Sequence, residues 1–252
     1  MFVDPMPDRD VLAQMYGVDY GEERPPDPAV ENPKEDARVI QLLAERPSGH
    51  FLDYGCGRGL LLEGALDAGW QASGVEFDPA VASLVASRTG CTIVSEAEVD
   101  ELPPGEVDVL HLGDVLEHLT DLDHDFPRIL RLVRPGGLLV AQGPLEAQPH
   151  LFFAALRLWR AIRPPRPATI PPYHASLATA AGQRALFDRF GLHTQTFDVR
   201  EVGWPAPTRL TRDVRRSPRR LGLLALRRLS QQATRLSLGR LGNRYFYVGT
   251  VP

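Results

Sequence analysis

Two histidines in this sequence are placed where a proton could be taken from a substrate. His118 follows the apolar stretch 107–112 almost directly, after Asp114 and Glu117, and His174 lies in a proline-rich loop. Histidine titrates near neutral pH and is a common general base when a hydroxyl group must lose its proton. We therefore predict His118 as the first candidate for this base and His174 as the second, with a surface or helix-capping role as the alternative for His118. A structural or solvated role is predicted for the remaining candidates His111, His124, His150 and His193.

The carboxylates beside His118 offer a second kind of chemistry. Two carboxylates and an imidazole are ligands that a divalent cation accepts. However, the spacing of Asp114, Glu117 and His118 also fits an ordinary exposed helix, and no second ligand cluster is visible in the sequence. We therefore predict a reaction centre without a metal ion and keep metal dependence as the alternative.

A glycine-rich loop between a strand-like and a helical pattern is the clearest binding signal. Residues 50–54 are mostly apolar and contain Asp53, glycines follow at every second position, and the apolar spacing of residues 60–66 is helical. Because glycine has no Cβ, this loop can turn sharply and bring backbone N–H groups against a ligand. The helix start behind it favours an anionic group. Glu76 ends the next strand-like stretch, where a carboxylate can accept hydrogen bonds from both hydroxyls of a ribose.

The third glycine of the loop separates two classes of nucleoside ligand. The dinucleotide fingerprint requires glycine at position 60, and this chain has Leu60 there. The spacing therefore favours a nucleoside that lacks a pyrophosphate. A nicotinamide-dependent oxidoreductase is the competing interpretation of the same strand, loop and helix.

Helical and strand-like patterns alternate along the rest of the chain, and these elements must position the candidate residues. Helices are predicted over 34–45, 78–88, 179–190 and 219–238, and strands over 70–77, 91–94, 107–112, 192–199 and 243–251. The Arg-Pro-Gly-Gly sequence at 134–137 predicts a turn before a fifth apolar strand, and residues 204–217 are predicted to be irregular. Ligands of open parallel sheets bind beyond the carboxyl ends of the strands, so residues 113–118 are well placed for chemistry.

The Asp-x-Gly-x-Gly-x-Gly loop, the acidic end of the second strand and the Arg-Pro-Gly-Gly turn resemble the class I S-adenosylmethionine-dependent methyltransferases over residues 50–142. The resemblance implies an α/β fold, a Rossmann-like doubly wound sheet of seven strands in the order 3-2-1-4-5-7-6, with the last strand antiparallel and helices on both faces. It implies S-adenosylmethionine as the cofactor and a small-molecule acceptor, in particular a hydroxyl oxygen of a secondary metabolite or saccharide. A non-catalytic module that binds the cofactor is a further alternative.

The resemblance also assigns roles around the cofactor. The glycines would shape the pocket for the methionine end, Asp53 would orient its amino group, and Glu76 would hold the ribose. Glu98 and Val99 are the best candidates to frame the adenine, and simple solvation is the alternative for Glu98. The full predicted cofactor set is Asp53, Gly55, Cys56, Gly57, Gly59, Glu76, Phe77, Glu98, Val99 and Gly113.

The chain is predicted to divide into an arm and one large domain. Residues 1–33 would form an amino-terminal arm over the cofactor, and residues 34–252 would form the methyltransferase domain. Within that domain, a substrate-recognition insertion is expected near 145–180 and a basic helical insertion near 209–240. At residues 114–118 the chain is similar to the ubiquinone-pathway O-methyltransferases, where an acid-x-x-Glu-His set is associated with a divalent metal.

Composition narrows the partners and the compartment. The formal net charge of −4 gives no electrostatic reason to expect nucleic acid. The two cysteines favour a reducing compartment. Neither a signal peptide nor a run of about 20 apolar residues is visible, so we expect a cytoplasmic protein. The oligomeric state is left open.

The segment 209–240 is strongly basic, with ten arginines and one acid, Asp213. We predict a solvated helix that packs its leucines on the domain. Weak attachment to an anionic membrane or a lipid-linked substrate is the alternative, because arginine and leucine combine in helices that lie on such surfaces.

Overall fold

The computed structural model describes residues 33–151, Ala154, Leu158, residues 174–201 and residues 209–252. In this part of the chain, seven strands form one sheet in the order β3-β2-β1-β4-β5-β7-β6. β7 is antiparallel to both β5 and β6, and the other neighbours are parallel. The predicted strand order and antiparallel last strand are therefore confirmed. The strands are β1 His50–Tyr54, β2 Gln71–Val75, β3 Thr92–Val94, β4 Val107–Gly113, β5 Val133–Pro144, β6 His193–Arg200 and β7 Arg244–Thr250.

Helices connect the strands, and several of them begin at a side chain that accepts hydrogen bonds from the first helical N–H groups. The Asp78 side chain accepts hydrogen bonds from the N–H groups of Ala80 and Val81, and Pro79 follows it as the first helical residue. The α-helices are α1 Pro33–Ala44, α2 Leu60–Asp67, α3 Pro79–Thr89, α4 Leu122–Leu130, α5 Ala180–Arg189, α6 Arg212–Arg216 and α7 Pro218–Leu236, and 3₁₀ helices cover Glu96–Glu101 and Leu116–His118. Among the described residues, no helix has the length and apolar content needed to cross a membrane.

The core lies on both faces of the sheet because neighbouring residues of a strand point to opposite sides. On one face, Leu52 and Leu110 belong to the cluster that contains Phe126 of α4 and Phe187 of α5. On the other, Phe51 packs in the cluster that contains residues of α1 and α2. The central strands are buried on both faces, as parallel strands with helices on each side must be. The predicted helices on both faces are thereby confirmed.

One prediction of local structure is right in part and another is wrong. The segment 134–137, predicted as a turn, lies within β5, but it bulges out of the pairing with β4, whose register moves from the pair Val107 and Val133 to the pair Val109 and Leu138. Gly136 has the positive φ of 77° that such a bulge requires, and its N–H donates to the carbonyl of Val251 at 2.9 Å. The stretch predicted to be irregular contains α6, whose start is capped by the Thr211 side chain.

α7 packs Leu224 on the domain as predicted, but the rest of its fully buried face is polar, contrary to the prediction that its leucines pack there. Its buried residues are Leu224, Arg227, Ser230 and Thr234, whereas three leucines of the helix, Leu221, Leu229 and Leu236, are exposed. The physical reason is a buried carboxylate under the helix: Glu201, just beyond β6, interacts with Arg227 and with Ser230. Because a buried carboxylate is unfavourable among apolar groups, α7 turns polar side chains toward it.

This buried carboxylate is expected to make the stability of the fold depend on pH. Burial raises the pKa of Glu201 to about 7, although Ser230 and Arg227 act in the opposite direction. Since the folded pKa lies above the ordinary value of 4.5, the stabilising contribution of this group is fully present below pH 4.5 and is lost as the pH rises through about 7. At about pH 8, Glu201→Gln should therefore be more stable than the wild type by on the order of 2 kcal/mol.

Urea unfolding of both proteins at several pH values measures this difference. It should shrink toward about pH 5, and the matched variant of an exposed acid, Glu106→Gln, should show no such trend. A difference of the same size at both ends of the pH range would contradict the assignment.

Candidate active site

The glycine loop between β1 and α2 has a left-handed backbone at each of its glycines, with φ values of 78° at Gly55, 48° at Gly57 and 69° at Gly59. The N–H groups of Gly55 and Cys56 donate to the carbonyl of Val75 at 2.8 and 3.0 Å. These two bonds attach the loop to the end of β2. The loop therefore has a defined shape at the carboxyl ends of the parallel strands, where ligands of such sheets bind.

Gly59 is expected to be the most sensitive glycine of this loop. A Cβ there would lie 2.5 Å from Cγ1 of Val85 in α3, whereas a Cβ at Gly57 would meet nothing within 4 Å. Both positions carry the cost of a left-handed backbone, and only Gly59 adds a clash. Gly59→Ala should thus lower the free energy of unfolding by about 1–2 kcal/mol more than Gly57→Ala. Urea titration of the two variants measures this difference, and equal losses would contradict the clash.

Glu76, the predicted ribose ligand, also supports the loop. Its side chain is buried, and its two carboxylate oxygens accept the N–H of Gly57 at 2.8 Å and the N–H of Asp78 at 3.0 Å. Each carboxylate oxygen has a further lone pair, so these bonds leave capacity for ribose hydroxyls. The sequence predicted only a ligand contact for Glu76. Its hydrogen bonds to the backbone of the glycine loop and of Asp78 were not predicted.

Asp53 lies beside a histidine that we predicted to be structural or solvated. Both side chains are buried, and Nδ1 of His111 lies 2.7 Å from Oδ1 of Asp53. The register of the parallel strands β1 and β4 pairs these two residues directly. Pattern analysis missed this pair because the register joins residues far apart in sequence, although one polar residue in each of two buried apolar strands was a signal.

A further acid, Asp36 of α1, lies near this pair and was not predicted from the sequence. Burial raises the pKa of Asp36 in α1, while His111 lowers it and the negative charges of Asp53 and Asp114 raise it further. The ends of β1 and β4 therefore collect carboxylates. Such a setting attracts a cationic group, which is what the predicted role of Asp53 requires.

The remaining predicted cofactor residues differ in what they offer a ligand. Glu98 is exposed, and its Oε2 accepts hydrogen bonds from the N–H of Ser95 at 2.7 Å and from the Ser95 hydroxyl at 2.6 Å, which lower the pKa of Glu98. The side chain of Val99 is fully buried in the core, so only its backbone remains a candidate for the adenine. Phe77, directly after Glu76, is half exposed and can offer its aromatic ring to a ligand.

The two other predicted cofactor residues lie at the base of the site. Cys56 is buried under the loop, and burial, reinforced by Asp53 and Glu76, raises the pKa of its thiol to about 12, so the thiol stays protonated. Gly113 ends β4, where a Cβ would lie 2.6 Å from the His111 ring. The lack of a Cβ at Gly113 thus leaves room for the buried His111 ring.

The two histidines predicted as candidate bases are brought together by the fold. Their ring centroids lie 4.9 Å apart, with the planes at 78°. His118 ends the short 3₁₀ helix after β4, and Nδ1 of His174 lies 2.7 Å from Oε2 of Glu146. The backbone carbonyl of Glu117 accepts the N–H groups of Ala175 and Ser176, so the segment after His174 is attached to the end of β4.

Glu117 is the buried acid of this group. Within the described part of the chain, its Oε1 has no hydrogen-bond partner. Burial raises its pKa well above the ordinary value of 4.5, and the nearby charge of Asp114 adds to the shift. One ligand atom from each of Glu117, His118 and His174 lies within 4.8 Å of the others.

Asp114, the first member of the predicted acid-x-x-Glu-His set, is held by β7. Its two carboxylate oxygens accept hydrogen bonds from the Arg244 guanidinium at 2.8 and 3.0 Å. Asp114 also has a φ of 55°, a left-handed backbone that aspartate tolerates better than most residues. Asp114 also lies beside Glu117 and forms a side-chain hydrogen bond with it. His174 is the residue that the fold adds to Glu117 and His118.

Comparison with known proteins agrees with this geometry. Residues 6–196 match the family described as "Methyltransferase domain". The chain is 27% identical over 160 residues to a probable S-adenosylmethionine-dependent methyltransferase of Mycolicibacterium smegmatis, with 62% of this chain and 57% of the relative covered. It is 36% identical over 107 residues to the ubiquinone biosynthesis O-methyltransferase of Dechloromonas aromatica, with 40% and 44% covered. The chain spans about half the length of these relatives.

A solved structure shares the fold. The S-adenosylmethionine-dependent methyltransferase from Archaeoglobus fulgidus superposes with a TM-score of 0.56 at 15% identity, covering 85% of this chain and 92% of that one. The family match also decides against the nicotinamide-dependent alternative, in agreement with Leu60 at the position of the third glycine. With its glycine loop, its acidic second strand and its sheet order, the chain belongs to the S-adenosylmethionine-dependent methyltransferase family.

Proposed function

We propose that this chain transfers the methyl group of S-adenosylmethionine to a hydroxyl oxygen of a small molecule, with a secondary metabolite or saccharide as the substrate class. The observation that carries the proposal is the pair His118 and His174, with rings 4.9 Å apart beside the carboxyl end of β4. Oxygen acceptors benefit from a base near their proton, whereas many nitrogen acceptors need none. The relative from Dechloromonas aromatica, named as an O-methyltransferase, supports the same class of acceptor atom.

In this proposal the residues orient the reactants and accept a proton. The acceptor oxygen attacks the methyl carbon in line with the sulfonium, the new C–O bond forms as the C–S bond breaks, and the sulfur leaves as a neutral thioether. The hydroxyl proton passes to an imidazole. At His174 the Glu146 carboxylate engages Nδ1, which leaves Nε2 for that proton and stabilises the resulting cation. His118 lies against the same ring and is the other candidate base.

Transfer of an isotopically labelled methyl group tests the proposal. The protein is incubated with labelled S-adenosylmethionine and a panel of phenols, catechols, sugars, amines and a protein extract, and the product is analysed for the methylated atom. Label on an oxygen of a small molecule supports the proposal. Label only on nitrogen, carbon or protein would overturn it. Cofactor binding without transfer to any acceptor would favour a non-catalytic binding module.

We also propose a weak peripheral association of the basic segment with an anionic membrane or a lipid-linked substrate. α7 exposes Leu229 and Leu236, which are 64% and 87% accessible, and each follows an arginine in the sequence. Exposed leucines next to arginines favour insertion at an anionic lipid surface. A cytoplasmic location stays a prediction, with which the two buried free cysteines agree.

Flotation with lipid vesicles tests this association. At low salt, vesicles that contain phosphatidylglycerol should retain the protein and vesicles of pure phosphatidylcholine should not, and retention should fall as salt is added. Leu229→Ser with Leu236→Ser should reduce retention. Leu84→Ser, which changes a 63% exposed leucine of α3, should not. The proposal would be rejected if both kinds of vesicle retained the protein equally, or if Leu84→Ser reduced retention as much as the double variant does.

A further inference from the structure

We infer that Arg128, in the last turn of α4, is a positioning residue for the cofactor, because it fixes the 3₁₀ helix Glu96–Glu101 beside the glycine loop. That 3₁₀ helix carries Glu98 and Val99, the residues predicted to frame the adenine. Arg128 would therefore determine how well the site recognises the purine ring. The inference concerns the cofactor and does not depend on which atom of the acceptor is methylated.

The guanidinium of Arg128 binds this 3₁₀ helix near both of its ends. Nη1 donates a hydrogen bond to Oε1 of Glu96 and Nη2 donates to the backbone carbonyl of Glu96, both at 2.9 Å. Nε donates to Oδ1 of Asp100 at 2.6 Å. Glu96 and Asp100 lie in successive turns, because a 3₁₀ helix has about three residues per turn. One side chain thus fixes both turns of this short element.

Arg131, just beyond α4, binds the same stretch of backbone. Its Nη2 donates to the carbonyl of Val99 and its Nη1 donates to the carbonyl of Leu102, both at 2.7 Å. The carbonyls of Glu96 and Val99 are one turn apart, so the two guanidinium groups bind the same face of the 3₁₀ helix. Glu98 lies off this face, and its side chain is exposed. The arginines therefore fix the helix without occupying the side chain predicted to meet the adenine.

This support matters because short 3₁₀ helices are weak by themselves. Their hydrogen bonds have poorer geometry than those of an α-helix. The capping contacts of Glu98 with Ser95 lie within the first turn. Arg128, in contrast, connects the 3₁₀ helix to α4, which packs in the core through Phe126 and Ile129. The position of the 3₁₀ helix in the domain therefore depends on this arginine.

Arg128 also interacts with the residue directly before the glycine loop. Burial and the charge of Glu96 raise the pKa of the Tyr54 hydroxyl, whereas Arg128 lowers it. The Arg128 side chain is only 11% exposed, and its hydrogen bonds to Asp100 and Glu96 raise its own pKa, so it stays charged. A guanidinium carries several donors in a fixed planar fork and can bind several acceptors at once. Arg128 thus joins two walls of the cofactor site, the glycine loop and the 3₁₀ helix.

Binding of two nucleoside ligands tests the inference. S-adenosylhomocysteine and S-inosylhomocysteine share the ribose and the amino acid, but inosine has an oxygen in place of the exocyclic amine of adenine. Calorimetry gives both dissociation constants, and their ratio measures the preference for adenine. We expect Arg128→Gln to weaken binding of S-adenosylhomocysteine by about 10- to 100-fold and to bring the ratio close to one. Equal weakening of both ligands, or wild-type constants in this variant, would overturn the inference.

Three further variants separate positioning from folding. Arg128→Lys keeps the charge but loses the planar fork, so it should lose most of the preference for adenine. Asp100→Asn weakens one of the bonds at a side chain that is 65% exposed, and it should lower the ratio by about 3-fold. Arg189→Gln breaks an ion pair with Asp123, at 2.8 Å, that does not involve the 3₁₀ helix, and it should keep the wild-type ratio. If Arg128→Gln does not fold, an unchanged ratio in both Arg128→Lys and Asp100→Asn overturns the inference.

Glu76→Ala provides a contrast with another kind of cofactor contact. Glu76 is the predicted partner of the ribose, which both ligands share, so this variant should weaken both ligands alike and keep the wild-type ratio. A ratio that falls as far in Glu76→Ala as in Arg128→Gln would report general damage to the site, and the assignment of Arg128 to the adenine would fail. Methyl transfer enters none of these measurements, so their outcome is separate from that of the proposed function.

Discussion

Replacing Glu76 with alanine is expected to raise the dissociation constant for S-adenosylmethionine by about 100-fold. Two effects add. The change removes the acceptor for the backbone N–H groups of Gly57 and Asp78, which now bond the carboxylate at 2.8 and 3.0 Å. It also removes the predicted partner of the ribose hydroxyls. Each buried polar group left without a partner costs about 1–3 kcal/mol, so the loop loses its shape as well as its contact.

Calorimetric titration with S-adenosylmethionine and S-adenosylhomocysteine measures this effect. Both ligands should lose affinity to a similar extent, since they share the ribose. Glu101→Ala changes an exposed acid of the 3₁₀ helix Glu96–Glu101 and should bind both ligands as the wild type does. Wild-type affinity in Glu76→Ala would remove this carboxylate from the cofactor site.

Replacing His118 with alanine is expected to lower the maximal rate of methyl transfer to oxygen by about 100-fold or more if this histidine is the base. Affinity for S-adenosylmethionine should remain close to that of the wild type, because the glycine loop is attached to β2 and Glu76 and not to His118. The measurement is single-turnover transfer at saturating cofactor and acceptor, which separates chemistry from product release.

The control for this experiment is His193→Ala, at an exposed position of β6. It should have the rate of the wild type. Wild-type turnover in His118→Ala would move the role of base to His174 or show that the reaction needs no base. A loss of cofactor affinity equal to the loss of rate would indicate that His118 shapes the cofactor pocket instead.

Segments whose patterns are local were predictable from the sequence. The glycine loop, the capped start of α3 at Asp78 and the apolar strand β4 each carry their signal within a few residues. The resemblance based on the glycine loop, Glu76 and the Arg-Pro-Gly-Gly segment gave the correct sheet order. The position of Glu76 was predicted from its place at the end of the second strand-like stretch. Ligands of parallel sheets bind beyond the carboxyl ends of the strands, so a residue at that end lies near the ligand.

Features that depend on contacts between distant segments were not predictable in this way. His111 meets Asp53 only through the register of β4 against β1, and Arg244 meets Asp114 only because β7 runs antiparallel beside β5. The face that α7 buries was predicted only at Leu224, since the helix also turns Arg227 toward the carboxylate of Glu201. Hydrophobic periodicity contains no information about such pairings.

The hydrogen bonds within the glycine loop have a consequence for cofactor exchange. Its N–H groups are bonded to the carbonyl of Val75 and to the carboxylate of Glu76, which are groups of the protein and not of a ligand. Binding therefore requires little ordering of this part of the chain, and its conformational entropy is already lost on folding. S-adenosylmethionine and its product S-adenosylhomocysteine share the adenosyl group, so both should bind to this preorganised surface and compete for it. We therefore expect S-adenosylhomocysteine to inhibit methyl transfer by competing with S-adenosylmethionine.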